Sequence, residues 1–200
     1  VSMVHSLHNQ NVQQILGGRI LFLVGMMGSG KSNTGPHLAT ALNYAFVDSD
    51  KVIEKSVGKS ISAIFSEDGE DEFREIEHQV LKEIGQHHSL IVATGGGVVT
   101  SSQNWGILHQ GIVIWLNPER ERLLTRLRND RVQRPLLKGE DFVLTFDRIF
   151  HERKSLYMES DLEIAIQNES PHEVAEKIIR LLPGILKNPH DQGAPQTIGD

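Results

Sequence analysis

Eight residues in the first sixth of the chain, Gly25 to Ser32, have the types and spacing needed to hold a phosphate. They read Gly-Met-Met-Gly-Ser-Gly-Lys-Ser and match G-x-x-x-x-G-K-[ST], the P-loop pattern. Average residue usage predicts on the order of 0.01 chance matches in a chain of this length. In this pattern the loop amides face the phosphates, the lysine reaches the β- and γ-phosphates and the last hydroxyl binds Mg²⁺. The sequence therefore predicts a nucleoside triphosphate site along Gly28, Ser29, Gly30, Lys31, Ser32 and Asn33.

The segments on either side of this loop are those that the pattern requires. Residues 20–24 form an apolar run typical of a buried strand, and residues 32–43 have the spacing of a helix. A glycine-rich turn without a ligand is the alternative interpretation. It is disfavoured because a strand and a helix flank the motif as a phosphate site demands.

Two carboxylates follow the next predicted strand, over residues 44–47. Asp48 and Asp50 stand at i and i+2, so they leave the strand on the same side. In a right-handed βαβ unit the carboxyl ends of the two strands are neighbours, which should bring both carboxylates near Lys31 and Ser32. A cap for a helix over residues 52–57 is the alternative, but it would use only one of the two aspartates.

Strands and helices alternate along the rest of the chain. Further strands are predicted over residues 89–93, 112–116 and 162–166, and helices over 61–65, 70–88, 102–109, 118–128, 142–157 and 172–182. The helix signals include Asn117-Pro118 as cap and first turn, and Pro183 as a stop. This alternation predicts an α/β fold whose parallel sheet is covered on both faces, with ligands beyond the carboxyl ends of the strands.

The composition of the chain argues against several kinds of site and partner. A chain of 200 residues with 38% hydrophobic content suits one domain, and the absence of cysteine excludes disulfides and thiolate sites. The net charge of −6 argues against a nucleic-acid partner, and no apolar run approaches the roughly 20 residues needed to span a bilayer. We therefore expect neither nucleic acid nor a membrane as a partner.

Cations are nevertheless concentrated in one region. Arg126, Arg128, Arg131 and Arg134 lie within nine residues, and residues 129–141 lose apolar periodicity. A mobile lid that closes over phosphates would have this composition, whereas a solvated helix end is the alternative.

Two further segments stand out. Arg74 has Glu77 three positions on and Glu70 four positions back, so a surface ion pair is as good an interpretation as a ligand site. Gly95, Gly96 and Gly97 follow a predicted strand and indicate a backbone that a ligand approaches closely. A simple turn is the alternative, but it would need only one glycine.

Together these segments resemble the shikimate kinase family, whose members phosphorylate the 3-hydroxyl group of shikimate on the chorismate route to the aromatic amino acids. The resemblance runs from about residue 19 to residue 182. It is carried by the P-loop, Phe46-Val47-Asp48-Ser49-Asp50 with Ile53-Glu54, Glu72-Phe73-Arg74 with Ile76-Glu77, Gly95-Gly96-Gly97, Arg134-Pro135-Leu136-Leu137, and Arg153 four residues before Tyr157. The residues around Ala93-Thr94 and Asn104-Trp105-Gly106 are most similar to cyanobacterial and plastid members.

The resemblance implies a three-layer α/β/α P-loop kinase fold with a five-stranded parallel sheet and a mobile lid. We expect residues 1–18 to be an N-terminal extension, 19–187 a single kinase domain and 188–200 a disordered tail. The residue pattern of this extension predicts a loose helix that ends at Gly17-Gly18. We assign no function to the extension. The family expectation is a monomer. We expect a cytoplasmic location, with plastid stroma as the alternative compartment.

For the acceptor, the resemblance implies that shikimate binds Asp50 through its hydroxyls. Its carboxylate is implied to bind Arg74 and Arg153, with Glu77 orienting Arg74. The resemblance further implies a pocket wall at Phe73 and a ring held by the backbone of Gly95, Gly96 and Gly97.

For the donor, the resemblance implies ATP as co-substrate, with Mg²⁺ held by Ser32 and, through water, by Asp48. Lys31, Asp50 and Arg134 are the implied catalytic residues, and whether Asp50 is a true base or mainly orients the hydroxyl is left open. Pro171 and an arginine before the lid would enclose the adenine, and Arg126 and Arg128 are both suitable. One departure is Asn33, where threonine is common.

Two rival functions are weighed against this one. A related kinase acting on gluconate or a nucleoside monophosphate would share the P-loop, but paired arginines suit a compact carboxylate better than a nucleoside. Gluconate also has a carboxylate, so the triple glycine and Asp48-Ser49-Asp50 must make that distinction. A catalytically inactive binding module is the second rival, and it would be expected to have lost Lys31, Asp50 or an arginine.

Overall fold

A five-stranded parallel sheet forms the centre of the computed structural model, which describes residues 2–129 and 141–186. The strands lie in the order β2-β3-β1-β4-β5, and every neighbouring pair is parallel. Their bounds are β1 Leu21–Val24, β2 Ala45–Asp48, β3 Leu90–Ala93, β4 Ile112–Pro118 and β5 Leu162–Ile166. The predicted α/β fold with five parallel strands is confirmed.

Helices cover the sheet on both sides. They are α1 Ser2–Leu16, α2 Lys31–Leu42, α3 Ser49–Val57, α4 Ile61–Glu67, α5 Glu70–Ile84, α6 Ser102–Leu108, α7 Arg120–Asn129, α8 Phe142–Tyr157 and α9 Pro171–Leu186, with a 3-10 turn at Val98–Thr100. Within residues 2–129 and 141–186, no helix has both the length and the hydropathy to cross a bilayer.

Two hydrophobic cores lie on the opposite faces of the sheet. Phe22 and Val24 point into the core beneath α5, α6, α7 and α8, whereas Leu21 and Leu23 point into the core shared with α1, α2 and α9. Successive strand residues face opposite sides, so a strand buried on both faces must be apolar throughout. This explains the continuous apolar runs of β1 and β3. The parallel order β2-β3-β1 places the carboxyl ends of these three strands beside one another.

The first helix belongs to the second of these cores. Val12 and Leu16 on α1 are fully buried, and α1 packs against α2 and α9. Leu7, by contrast, is 61% exposed on the outer side of the same helix. Helix α1 therefore covers the pair of helices that begin at the P-loop and at Pro171.

The predicted boundaries at Asn117-Pro118 and Pro183 are wrong. Asn117 and Pro118 end β4, where they pair with Ala165 and Ile166 of β5, and α7 begins only at Arg120. Strand β1 has already ended opposite Trp115, so the missing N–H of Pro118 interrupts no pairing on that side.

Pro183 lies inside α9, which continues for three more residues. Burial of Leu182 and Leu186 against the core holds this last turn in place, and tertiary packing thus overrides the local signal. Helix α5 ends at Ile84 before Gly85, four residues short of the predicted end at residue 88.

Candidate active site

The P-loop connects β1 to α2, and its main chain curves around the side chain of Lys31. Gly25 has φ of 140°, and a Cβ atom there would lie 2.6 Å from the carbonyl oxygen of Leu116. Only glycine fits this position, because both the dihedral angle and the neighbouring strand exclude a side chain. The loop ends at Gly30 and α2 begins at Lys31, so the N-terminal end of this helix adjoins the loop.

Lys31 occupies the inside of this curve. Its side chain is buried, and Nζ donates to the carbonyl oxygens of Gly25, at 2.7 Å, and Met26, at 2.9 Å. A cation held at the N-terminal end of a helix makes this loop electropositive, and an anionic phosphate is the ligand that suits it.

Ser32 and Asp48 meet at the carboxyl edge of the sheet. The Ser32 hydroxyl donates to Oδ2 of Asp48 at 2.6 Å, while Oδ1 of Asp48 accepts from the backbone amides of Asp50 and Lys51 at the start of α3. The two interpretations of Asp48 are thus compatible, since one carboxylate caps the helix and reaches the P-loop. Paired hydroxyl and carboxylate oxygens are ligands that Mg²⁺ accepts together with phosphate oxygens and water.

A cavity of about 600 Å³ lies over these groups. Its walls come from the P-loop, from the ends of β2 and β3, and from α7. They include Met27, Gly28, Gly30, Lys31, Ser32, Asn33, Asp48, Asp50, Thr94, Gly96, Thr125, Arg126 and Asn129. The phosphate loop and the two aspartates therefore face one common space, as the sequence predicted.

Arg74 on α5 forms two ion pairs of different character. Nη1 donates to Oε2 of Glu77 at 2.8 Å, and Nη2 donates to Oε1 of Glu70 at 3.1 Å. Glu70 is half exposed, but the side chain of Glu77 is only 2% exposed. The pair with Glu77 is therefore an internal contact rather than a surface ion pair.

Burial governs the charges of this pair. It raises the pKa of the Glu77 carboxyl, although the positive charges of Arg74 and Arg153 oppose the shift. For Arg74, burial lowers the pKa of the guanidinium, but its contacts with Glu77 and Glu70 outweigh this effect and the net shift is upward. Arg74 thus stays cationic while Glu77 is protonated more readily than an exposed glutamate.

The three glycines after β3 each lie against one part of this charged group. A Cβ atom on Gly95 would be 2.7 Å from Oε1 of Glu77, and one on Gly97 would overlap with Nη2 of Arg74. A Cβ atom on Gly96 would be 3.6 Å from Nη1 of Arg153. The sequence predicted that a ligand approaches this backbone closely, and this stays a prediction. In the structure, the charged side chains of Glu77, Arg74 and Arg153 lie against the loop.

Arg153 and Phe73 also belong to the group of side chains around the glycine loop and Arg74. Arg153 on α8 is buried, and its Nη1 has no hydrogen-bond partner within the described part of the chain. Phe73 is also buried; its ring lies 5.2 Å from the guanidinium carbon of Arg74 and 4.6 Å from the ring of Phe65. A buried guanidinium nitrogen without a protein partner is a strong donor for an oxyanion.

Comparison with known proteins identifies the family. The family model described as shikimate kinase matches residues 27–183. The chain belongs to the shikimate kinase family. A shikimate kinase of Prochlorococcus marinus strain NATL2A is 53% identical over 94% of this chain and 95% of that protein. One from strain MIT 9313 is 57% identical over 89% of this chain and 93% of its own length.

A solved structure agrees with this assignment. The shikimate kinase from Acinetobacter baumannii in complex with shikimate is 35% identical to this chain. It superposes with a TM-score of 0.82 over 86% of this chain and 97% of its own. The cyanobacterial relatives confirm the resemblance drawn from the sequence, and the rival assignment to another small-molecule kinase family is excluded.

The residues expected at the adenine end of a shikimate kinase are less closely grouped. Nη1 of Arg126 donates to the carbonyl oxygen of Gly28 at 2.9 Å, whereas Arg128 is exposed and outside the described cavity wall. Pro171 is half-buried at the start of α9 and is likewise not among the described lining residues. Arg134 lies outside the described residues, as does nearly all of the predicted lid.

Thr94 and Tyr157 were assigned no role from the sequence. Thr94 lines the cavity, and its hydroxyl donates to the carbonyl oxygen of Leu23 at 2.8 Å, tying β3 to β1. Tyr157 donates to the carbonyl oxygen of Gly96. Its spacing from Arg153 was the available signal, because residues four apart share one face of a helix.

Proposed function

We propose that the protein transfers the γ-phosphoryl group of ATP to the 3-hydroxyl group of shikimate, giving shikimate 3-phosphate and ADP. The observation that carries this proposal is the convergence of Arg74 and Arg153 on the glycine loop of residues 95–97, whose middle residue, Gly96, lines the same cavity as Lys31. Two guanidinium groups match the shape and charge of a single carboxylate. The chain would thus act in the biosynthesis of aromatic amino acids.

At the acceptor end, the carboxylate of shikimate would bind Arg74 and Arg153, with Glu77 holding Arg74 in place. The amides of Gly95, Gly96 and Gly97 would face the ring, and Phe73 would form the apolar wall. Asp50 lines the same cavity and would bind the ring hydroxyls. These assignments are supported by the close packing of the glycine loop against the charged side chains.

At the donor end, the P-loop from Gly28 to Asn33 would hold the phosphates of ATP. Ser32, directly, and Asp48, through water, would hold Mg²⁺, which when bound neutralises charge on the β- and γ-phosphates. Their 2.6 Å contact at the cavity wall supports this assignment. Arg126 is the better supported of the two arginines for the adenine, opposite Pro171, because it contacts the P-loop itself.

In the reaction, the 3-hydroxyl oxygen forms a bond to the γ-phosphorus while the bond from that phosphorus to the β–γ bridging oxygen breaks. ADP leaves with the electron pair of the broken bond, and the hydroxyl proton passes to the Asp50 carboxylate or to water. We assign Asp50 mainly to orienting the hydroxyl, since a loose transition state depends chiefly on position and charge. Lys31, and Arg134 from the lid, would stabilise the charge on the transferring group.

The test is an ADP-release assay with ATP and Mg²⁺, in which shikimate is run beside quinate, gluconate and AMP. We expect turnover with shikimate alone. Turnover with gluconate or AMP but not with shikimate would overturn the acceptor. Binding of ATP without turnover of any acceptor would instead support an inactive binding module.

A variant pair on one helix makes this test specific to the carboxylate. Arg153→Ala should raise the KM for shikimate by about 10–100-fold, the scale for losing a charge-assisted hydrogen bond, and leave the KM for ATP nearly unchanged. Arg148→Ala is the matched control, since Arg148 is exposed on the same helix and pairs only with Glu152 in the described contacts. Equal effects of the two changes would contradict the assignment.

We also propose that the chain acts as a monomer, in keeping with the expectation from its family. A cytoplasmic location is supported by its similarity to cyanobacterial relatives, and plastid stroma is the alternative. Sedimentation of the purified protein with and without shikimate would test the oligomeric state.

A further inference from the structure

Tyr157 is a buried polar residue that the proposed chemistry does not use. It ends α8 one turn after Arg153 and is fully buried. Its hydroxyl donates to the carbonyl oxygen of Gly96 at 2.5 Å, and its ring stacks on Trp115 of β4 at 5.6 Å between centroids. Trp115 therefore fixes the ring, and the ring directs the hydroxyl at the middle glycine of the loop.

Every carbonyl of the loop from Gly95 to Val99 accepts a hydrogen bond from the protein. Four of these carbonyls accept from groups that follow closely in the chain. The donors are Val98 N to Gly95 O, Thr100 N and Oγ1 to Gly97 O, Asn104 Nδ2 to Val98 O, and Trp105 Nε1 to Val99 O. The bond to Gly96 alone comes from across the fold, from the helix that also carries Arg153.

This arrangement fixes the orientation of the peptides in the loop. Each carbonyl from Gly95 to Val99 is held by a donor of the protein, and the carbonyl of Gly96 is held by Tyr157. Rotation of the peptide after Gly96 would break the hydrogen bond from Tyr157 to the Gly96 carbonyl oxygen. The hydroxyl of Tyr157 opposes that rotation, because it would leave both groups of the bond unsatisfied.

We propose that Tyr157 is a positioning residue. Its hydroxyl fixes Gly96 to α8 and so holds the glycine loop and Arg153 in the relative position that the carboxylate of the acceptor requires. This inference rests on the proposed function for the identity of that acceptor. The anchoring itself belongs to the ligand-free protein. Burial raises the pKa of the phenol to about 12, so the hydroxyl keeps its proton at any working pH.

The test compares Tyr157→Phe with Tyr44→Phe. Tyr44 is the other tyrosine of the chain, and it is nearly buried at the start of β2, at the opposite end of that strand from Asp48. Both changes remove one phenolic oxygen and keep the ring. For Tyr157→Phe we expect a rise of about tenfold in the KM for shikimate, with the KM for ATP and the kcat within about twofold of the parent.

Hydrogen exchange of the ligand-free proteins supplies a readout that does not depend on turnover. Peptides covering residues 94–100 should exchange faster in Tyr157→Phe than in the parent and in Tyr44→Phe. Unchanged exchange there would overturn the anchoring role, even if shikimate proved not to be the acceptor. Faster exchange with an unchanged KM for shikimate, or equal rises in both KM values, would overturn the positioning role while leaving the proposed function intact.

Discussion

The two ends of the proposed site are built in different ways. The proposed phosphate end comes from one continuous segment, Gly25 to Ser32, which curves around Lys31. The proposed acceptor end is assembled from α5, α8 and the loop after β3, and it uses charged side chains, of which Glu77 and Arg153 are buried. A site made of consecutive backbone amides is fixed by local geometry, whereas a site made of distant side chains depends on how the helices pack.

This difference has an energetic counterpart. Lys31 is satisfied by carbonyl oxygens of its own loop, so the phosphate end holds its charge within one short segment. Glu77 is instead almost fully removed from water and pairs with Arg74, so removal of Arg74 would leave a buried carboxylate without this partner. Changes at the phosphate end should therefore lower kcat for any acceptor, and changes at the other end should act on shikimate binding.

The largest effect is expected at the phosphate end. Lys31→Met keeps the length of the buried side chain but removes its charge, and we expect kcat to fall by about 10³-fold or more, since the charge stabilises the transition state. Stopped-time ADP release at saturating substrates measures the loss. Lys51→Met, on the exposed side of α3, is the control. A kcat within tenfold of the parent would show that the loop backbone alone suffices.

Arg134→Ala tests the contribution of the predicted lid to the same end. We expect kcat to fall by about 10²–10³-fold, the scale for losing one donor to the transferring group, with little change in the KM for shikimate. Lys138→Ala in the same segment shows whether another nearby cation has an equal effect. Steady-state rates within threefold of the parent would remove Arg134 from the proposed mechanism.

The difference between the two ends also explains what could be predicted from the sequence. The P-loop, its flanking strand and Asp48 were predictable because the signal lies within a few consecutive residues. Arg74 was ambiguous, because the spacing of Glu70 and Glu77 is the same for a surface pair and an internal one. Only the packing of α5 against the glycine loop distinguishes them.

Tertiary packing also decided the boundaries that were predicted wrongly. Pro118 belongs to β4 because β5 extends past the end of β1 and pairs with Pro118. No local sequence pattern indicates this pairing. Pro183 stays helical because Leu186 is buried one turn later. The burial of Val12 and Leu16 was likewise hidden, since few apolar residues mark α1 and their partners lie near the other end of the chain.

Gly97→Ala tests the acceptor end without removing any charge. The φ of Gly97 is −96°, which alanine adopts readily, but the new methyl group would overlap with Nη2 of Arg74 and displace the guanidinium. We expect the KM for shikimate to rise by about tenfold, with the KM for ATP within about twofold. Gly106→Ala in α6 is the matched control, since nothing lies within 4 Å of the position that its Cβ atom would occupy. Equal KM changes for both substrates would mean that the two ends are not separable.

The smallest effect concerns the charge of Glu77. Because burial raises its pKa, Glu77 takes up a proton at a higher pH than an exposed glutamate does, and the neutral form holds Arg74 less firmly. We expect kcat/KM for shikimate to fall about threefold to fivefold as the pH drops through this raised pKa, the scale of one weakened hydrogen bond to Arg74. Glu77→Gln should show the lower value throughout, while Glu75→Gln, at an exposed position of α5, should retain the parent profile.

Protonation of Glu77 should also change the free energy of unfolding, in the direction opposite to its effect on shikimate binding. Between the usual and the raised pKa, the folded protein binds the Glu77 proton and the unfolded chain does not, so the contribution of this group to the free energy of unfolding decreases as the pH rises. Acidification through this window would thus weaken shikimate binding while Glu77 itself favours the folded state. Denaturant unfolding of the parent and of Glu77→Gln across the window measures this term. A parent that gains stability from ionisation of Glu77 would show that Arg74 and Arg153 outweigh burial at the acceptor end.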